Sequence, residues 1–123
     1  MPKGEQASRL RQRIAQLGRE LSALQSRLLR PRRMTAASLV ERRLGTRERK
    51  RASTAFYLSY AEEGRTRLVH VPKDKVERVR SRVEAWRSFR TALRSWRETS
   101  VEMARLLREL GEAQAERPGK EDR

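Results

Sequence analysis

Leucine and isoleucine recur at heptad spacing near the start of the chain, and this pattern constrains the fold more than any other feature. The positions are Leu10, Ile14, Leu17, Leu21, Leu24 and Leu28. Such a seam lies along one side of a helix and needs a partner helix to cover it. Pro31 disfavours helical geometry at the residue before it, so we predict a coiled-coil helix over residues 8–30, with Ser8 as a candidate N-cap.

A second apolar stripe predicts one long helix over residues 73–111. One extra three-residue step, between Trp86 and Phe89, moves the stripe around the helix, which indicates a change of packing partner. If the two helices are antiparallel, the first covers only the C-terminal half of the second. The stripe consists of Val76, Val79, Val83, Trp86, Phe89, Leu93, Trp96, Ser100, Met103, Leu107 and Leu110. We interpret its three aromatic residues as core side chains.

The segment between the helices, residues 31–72, is the partner available to the rest of the long helix. Its first part, Met34 to Leu44, is predicted as a short helix, with Leu39, Val40 and Leu44 packing on Val76, Val79 and Val83. The next part, Gly45 to Thr54, has no periodicity and is predicted as a basic loop. The last part, AFYLSYAEEGRTRLVHVP, is rich in aromatic and β-branched residues and is predicted as a β-hairpin.

The turn of this hairpin decides which side chains share a face. A three-residue turn, Glu62 to Gly64, would pair Ala61 with Arg65. The face covered by the rest of the protein would then contain Phe56, Leu58 and Leu68. The opposite, exposed face would present Tyr57, Ser59, Arg65 and Arg67.

These elements together predict a mainly α fold, in which an antiparallel coiled-coil helix pair carries a small inserted β-hairpin head. Residues 1–7 and 112–123 lie outside the periodic segments and are predicted to be disordered. The whole chain would then form one elongated helix pair whose insert supplies a shaped surface.

The charge is strongly positive and unevenly distributed. The chain has 31 basic and 16 acidic residues, a net charge of +15, and all but five of the basic residues are arginine. Residues 30–53 contain nine basic and two acidic side chains, and residues 65–95 contain ten and three. Arginine binds phosphate groups bidentately, so this composition predicts a polyanionic partner, with nucleic acid as the first expectation. Charge alone leaves both DNA and RNA open.

We therefore predict a non-enzymatic nucleic-acid binding protein that uses its head. Tyr57 would stack on a base or lie against a sugar. The alternative interpretation of the hairpin charges is that they protect an exposed strand edge from aggregation. The candidate phosphate-binding residues are Arg47, Arg49, Lys50, Arg51, Arg65, Arg67, Lys73, Lys75, Arg78 and Arg82.

Several other classes of function have no support in the sequence. Cysteine is absent, which excludes thiolate metal sites and cysteine nucleophiles and is typical of a reducing, cytoplasmic compartment. His70 is the single histidine and has no metal-ligand spacing around it, so we interpret it as structural. No nucleotide-binding, nucleophile-elbow or HExxH motif occurs. We expect no enzyme activity, no cofactor, no metal and no membrane span.

A second function stays open, that of a coiled-coil structural or assembly protein that binds a partner protein through its helix seam. A homodimer is also open. Because the predicted helix pair already uses the Leu10 to Leu28 seam, dimerisation would depend on leftover residues such as Leu29 and Leu106.

Short motifs of the hairpin resemble a family of short basic bacterial proteins whose function is uncharacterised. The residues are YLSY (Tyr57 to Tyr60), GRTR (Gly64 to Arg67) and VP (Val71 and Pro72), and Ser38 with Leu39 matches an upstream GSL segment in which Ala37 replaces the glycine. The likeness spans about residues 35–110. Members of that family are often encoded beside transposases, which implies an accessory nucleic-acid role in a mobile element and a transposase as a candidate partner.

The chain departs from that family between the GSL segment and the hairpin. Many members carry a cysteine-rich, CGKPGCRC-like knuckle there, whereas this chain has LGTRERKRA from Leu44 to Ala52. A metal role implied by the resemblance therefore does not carry over. The basic loop would act electrostatically where the family has the knuckle.

Overall fold

The computed structural model describes residues 3–45 and 53–123, which form a mainly helical protein with a three-stranded antiparallel sheet of order β1-β2-β3. Short 3-10 turns occur at Lys73–Lys75 and Lys120–Asp122. Among the described residues, no helix combines the length and apolar character needed to cross a bilayer. The main elements in chain order are α1 (Lys3–Leu29), β1 (Ser38–Leu44), β2 (Ser53–Glu62), β3 (Arg65–Val71) and α2 (Val76–Gln114).

The chain divides into two compact units, which we call the helix-pair unit (residues 1–30 and 91–123) and the sheet unit (residues 31–90). The division of α2 between them falls next to the predicted shift of its apolar stripe. α1 is longer than predicted, because it begins at Lys3 instead of Ser8. α2 has the predicted length of 39 residues but lies three residues further along the chain, from Val76 to Gln114. Of the segments predicted to be disordered, residues 3–7 belong to α1 and residues 112–114 to α2; disorder of the remaining terminal residues stays a prediction.

In the helix-pair unit, the heptad seam of α1 is the side that faces the core. Between residues 8 and 29, the residues that are at least partly buried are the six seam residues and Gly18. Leu17 is the most deeply buried, with 3% of its surface exposed. The periodicity of the sequence therefore predicted the buried side of α1 correctly, because each turn of a helix repeats the same geometry.

Two contacts show that α1 and the C-terminal part of α2 run antiparallel. The guanidinium of Arg11 donates a hydrogen bond to the side-chain oxygen of Gln114. Seven residues later, a β-carbon added at Gly18 would lie 3.7 Å from Cε of Met103, which precedes Gln114 on α2. As α1 advances, its contacts move backwards along α2, so the predicted antiparallel helix pair is confirmed.

The buried side of α2 in this unit is rotated from the predicted stripe. Leu93 and Leu107, predicted as core residues, are 40% and 50% exposed, whereas Ala92 and Leu106 are 4% and 5% exposed. Position 99 is a half-buried threonine on the same side. The predicted stripe was drawn through large apolar residues only, so it missed a buried side of α2 that includes alanine and threonine. Leu106 is therefore core and is not left over for dimerisation, unlike Leu29, which is 73% exposed.

Three charged residues on α2 form a cluster at the surface of this unit. Arg105 donates to Oε1 of Glu102 and to Oε1 of Glu109, both at 2.6 Å. The hydrogen bond from Arg105 lowers the pKa of Glu102, partly opposed by desolvation, and the same bond raises the pKa of Arg105. The spacings of three and four residues place these side chains on one side of the helix.

In the sheet unit, the segment predicted as a short helix is strand β1. Its seven residues pair with β2 from Ser38↔Ser59 to Leu44↔Ser53. The helix prediction was wrong because it considered only local spacing, whereas β1 satisfies the backbone groups along one edge of β2. Leu39 and Val83, predicted to pack together, line the same groove. The predicted packing of Val40 on α2 is wrong, because Val40 alternates to the opposite side of the strand.

The hairpin is present, but its register differs by one residue from the prediction. Glu63 and Gly64 alone form the turn, with φ of 49° and 76°, so Glu62 pairs with Arg65. Positive φ at both central residues is typical of a type I′ turn, whose twist matches that of the strands. Because side chains alternate along a strand, a one-residue change of register moves all of β3's side chains to the other face.

The face of the sheet that packs on α2, here called the inner face, contains Phe56 and Val71 as direct cross-strand neighbours. Leu39, Glu41 and Phe56 line a groove of about 200 Å³ together with Arg80, Val83, Glu84 and Arg87 of α2. Val71, Val76 and Val83 are each less than 7% exposed. Val69, also on this face, is 45% exposed, so α2 covers the sheet only near the Val71 end.

A second part of the unit contacts α2 away from this groove. The backbone N–H of Thr35 donates to the carbonyl oxygen of Arg82 at 3.1 Å.

The rings of Trp86 and Phe89 on α2 are stacked, with centroids 6.1 Å apart and an angle of 11° between the planes. Both rings are half-buried. The residues at the predicted stripe shift thus pack against each other.

Candidate nucleic-acid interface

The sheet unit carries most of the net positive charge. Residues 31–90 contain 17 basic and 7 acidic residues, a net charge of +10, against 14 and 9 in the rest of the chain. In the described part of this unit, two of thirteen basic side chains form an ion pair, Arg67 with Glu62 and Arg80 with Glu77, both at 3.7 Å. The other eleven basic side chains form no ion pair with a carboxylate within the described residues.

Four of the predicted phosphate-binding residues, Arg47, Arg49, Lys50 and Arg51, lie outside the described residues. The structure places the other six, together with Tyr57, the residue predicted to stack: the six are Arg65, Arg67, Lys73, Lys75, Arg78 and Arg82.

Arg65 and Arg67 lie on β3, an edge strand, and both are exposed. Arg67 pairs across the hairpin with Tyr60, and its guanidinium lies 3.7 Å from a carboxylate oxygen of Glu62. The alternation from Val71 places both arginines on the inner-face side of the strand. The prediction that they share a face with Tyr57 is therefore wrong, because it relied on the three-residue turn.

Lys73 and Lys75 lie in the 3-10 turn that joins β3 to α2, and both are exposed. The turn is closed by a hydrogen bond of 2.9 Å from the Lys75 N–H to the carbonyl of Pro72. On α2, Arg78 is exposed and Arg82 is half-buried. These two are four residues apart and share a side of the helix.

The predicted cations do not form a single cluster. Arg65 begins β3 and Lys73 follows its end, so the strand separates them by about 20 Å at the usual rise of an extended chain. The charges therefore run along an edge strand and onto the first turns of α2. Such a row suits contact with successive phosphates of a polyanion better than coordination of one small anion.

Tyr57 lies on the outer face, opposite the inner face, where it contacts one residue from each neighbouring strand. The His70 ring on β3 meets it edge to face, with centroids 5.5 Å apart and an angle of 74°. The Arg42 guanidinium carbon on β1 lies 5.5 Å from the centre of the Tyr57 ring. We predicted His70 as a structural residue, and here it is an exposed neighbour of Tyr57.

Sequence reasoning missed three arginines that contact aromatic rings. The short helix predicted from Met34 to Leu44 gives Arg42 no contact with Tyr57. Arg80 lies 5.8 Å from the Phe56 ring centre, and Arg90 lies 5.9 Å from that of Trp86. The i,i+4 spacing of Trp86 and Arg90 signals that last contact in advance, but the first two depend on strand positions that only the fold supplies.

The described residues contain no group of three or more His, Asp or Glu side chains that could hold a metal ion. Comparison of the chain with protein-family models, curated proteins and solved structures found no match. The resemblance to the bacterial family stays a prediction.

Proposed function

We propose that this protein binds nucleic acid without catalysing a reaction, through the basic residues of the sheet unit. The observation that carries the proposal is the concentration of exposed cations without carboxylate partners in the described part of this unit. Phosphate contacts by such residues give affinity that depends little on sequence and strongly on salt. As part of the same proposal, the family resemblance points to an accessory role in a mobile element, with a transposase as partner.

Four exposed cations of the sheet unit offer a direct test: Arg65, Lys73, Lys75 and Arg78. None of them forms an ion pair within the described residues. Replacing all four by glutamate should weaken binding of a fluorescein-labelled oligonucleotide and reduce the slope of log affinity against log salt by about four. Fluorescence anisotropy at about six salt concentrations between roughly 50 and 300 mM NaCl measures both quantities.

A matched control reverses four exposed arginines of the helix-pair unit, Arg9, Arg19, Arg27 and Arg97. The control changes the net charge by the same amount, so a general effect of charge would appear in both variants. The proposal requires a much smaller loss in the control. Equal losses, or wild-type affinity in the first variant, would contradict it.

The second candidate function is binding of a partner protein or a second copy through the helix-pair unit. It is favoured by Leu93 and Leu107, two heptads apart on α2 and 40% and 50% exposed. Replacing both by glutamate should abolish self-association in sedimentation experiments if this stripe is an interface. A wild-type chain that is monomeric throughout and binds oligonucleotides would exclude the homodimer and leave the first proposal standing.

A further inference from the structure

The strands place one basic side chain, Arg42, and no carboxylate on the outer face of the sheet. The strand residues include two acidic side chains, Glu41 and Glu62, and both belong to the inner face by alternation from Phe56. The outer face instead contains Val40, Arg42, Tyr57, Ser59, Leu68 and His70. An anionic ligand that lies on it meets positive charge and rings without opposing charge from the strands.

The central part of this face is accessible. Leu68 is 47% exposed, and Arg42 and His70 are exposed as well. Tyr57, on the central strand, is half-buried between them. Because β2 pairs with a strand on each side, the backbone beneath Tyr57 is held by two ladders of hydrogen bonds. The rings are therefore presented on a rigid support.

We propose that this outer face binds unpaired bases of a single-stranded nucleic acid, with the Tyr57 and His70 rings stacking on bases and Arg42 contributing positive charge beside them. Exposed aromatic rings on a sheet stack on bases whose faces are free, and in a duplex those faces are covered by neighbouring base pairs. The cations of β3 and α2 lie on the inner-face side, so they would bind phosphates where the strand continues around the β3 edge, beyond the stacked bases. This inference rests on the proposed function and names its ligand class.

The sequence offers a matched pair of variants for the test. Tyr57 and Tyr60 lie on the same strand, both half-buried, and the three-residue spacing places them on opposite faces. Tyr57→Leu should weaken binding of a 20-nucleotide oligo-dT and of a 20-nucleotide oligo-U by about tenfold, since a stacked ring is lost. Affinity for a 20-base-pair duplex should change by less than about twofold, because its bases are already stacked. Tyr60→Leu should leave all three affinities unchanged.

Two further measurements keep the test valid if Tyr57→Leu fails to fold. Tyr57→Phe retains the ring and should retain oligo-dT affinity. With the wild-type chain, oligonucleotides that carry 5-iodouracil should form photo-crosslinks to Tyr57 or His70, identified by mass spectrometry. Oligo-dT against oligo-U shows whether the strand is DNA or RNA.

The outcomes separate the two proposals. Binding of none of the three probes at low salt would overturn both the proposed function and this inference. Duplex binding equal to single-strand binding, an equal loss for the two tyrosine variants, or crosslinks confined to the inner face would overturn the stacking face alone. In those cases the cations of the sheet unit would still bind phosphates.

Discussion

Different interactions stabilise the two units: packing of an apolar helix stripe in the helix-pair unit, and strand pairing in the sheet unit. In the helix-pair unit, one apolar stripe repeats along α1 and buries Leu17 against α2. In the sheet unit, the buried side chains are small: Ala55, Val71, Val76, Val83 and Ala85. The ladders between three strands organise that unit. A small hydrophobic core is therefore sufficient when a repeated helix stripe or paired strands organise the chain. The helix-pair unit and the sheet unit nevertheless respond differently to substitution.

The largest effect is expected at the centre of the helix pair. Leu17→Ala removes a side chain that is 3% exposed, and should lower the free energy of unfolding by about 2–5 kcal/mol through lost burial and a cavity. Urea unfolding followed by circular dichroism at the helical band measures it. Leu29→Ala, at a position 73% exposed, is the control and should change stability by less than about 0.5 kcal/mol. Equal losses of unfolding free energy in Leu17→Ala and Leu29→Ala would mean that burial of the heptad seam does not stabilise the unit.

The next effect uses two glycines to compare the units. Gly64 has φ of 76° in the hairpin turn, so Gly64→Ala should cost about 1–2 kcal/mol. Gly18 lies inside α1, where an added β-carbon would meet Met103 at an ordinary distance of 3.7 Å, so Gly18→Ala should stabilise by up to about 1 kcal/mol. Amide hydrogen exchange reports the loss in β2 and β3 and the gain in α1. Stability changes of the same sign for Gly64→Ala and Gly18→Ala would contradict the expected difference between the units.

The smallest effect concerns the charged cluster on α2. The hydrogen bond from Arg105 holds the pKa of Glu102 below its usual value. The ionised carboxylate therefore stabilises the folded state at neutral pH and loses its contribution as the pH falls through the lowered pKa. Glu102→Gln should therefore lower the melting temperature slightly at neutral pH and have no effect in strong acid. Both side chains remain accessible to solvent, Arg105 by 48% and Glu102 by 36%, so salt should diminish the difference.

A control for this cluster is Glu98→Gln, at an exposed glutamate of the same helix without an ion pair in the described residues. It should leave the melting temperature unchanged across the same pH range. A pH-independent difference between Glu102→Gln and the wild type would show that the carboxylate acts through packing and not through its charge.

The candidate site was predictable in its composition and only partly in its geometry. The positions of Lys73, Lys75 and Arg78 follow from the Pro72 boundary, since a helix that starts just after a proline places its first residues without knowledge of the fold. The partners of Tyr57 do not follow. Arg42 reaches it because β1 is a strand, and His70 reaches it because the turn has two residues.

The sequence by itself determined the two helices, the buried side of α1, the hairpin and the regional charge, because each depends on residues close together in the chain. The tertiary structure decided that residues 38–44 are a strand, that α2 turns Ala92 and Leu106 inward, and which face of the sheet presents Tyr57. The physical reason is that a strand's face is set by its register with a distant segment, and a shift of one residue exchanges the two faces. A helix carries its periodicity within itself.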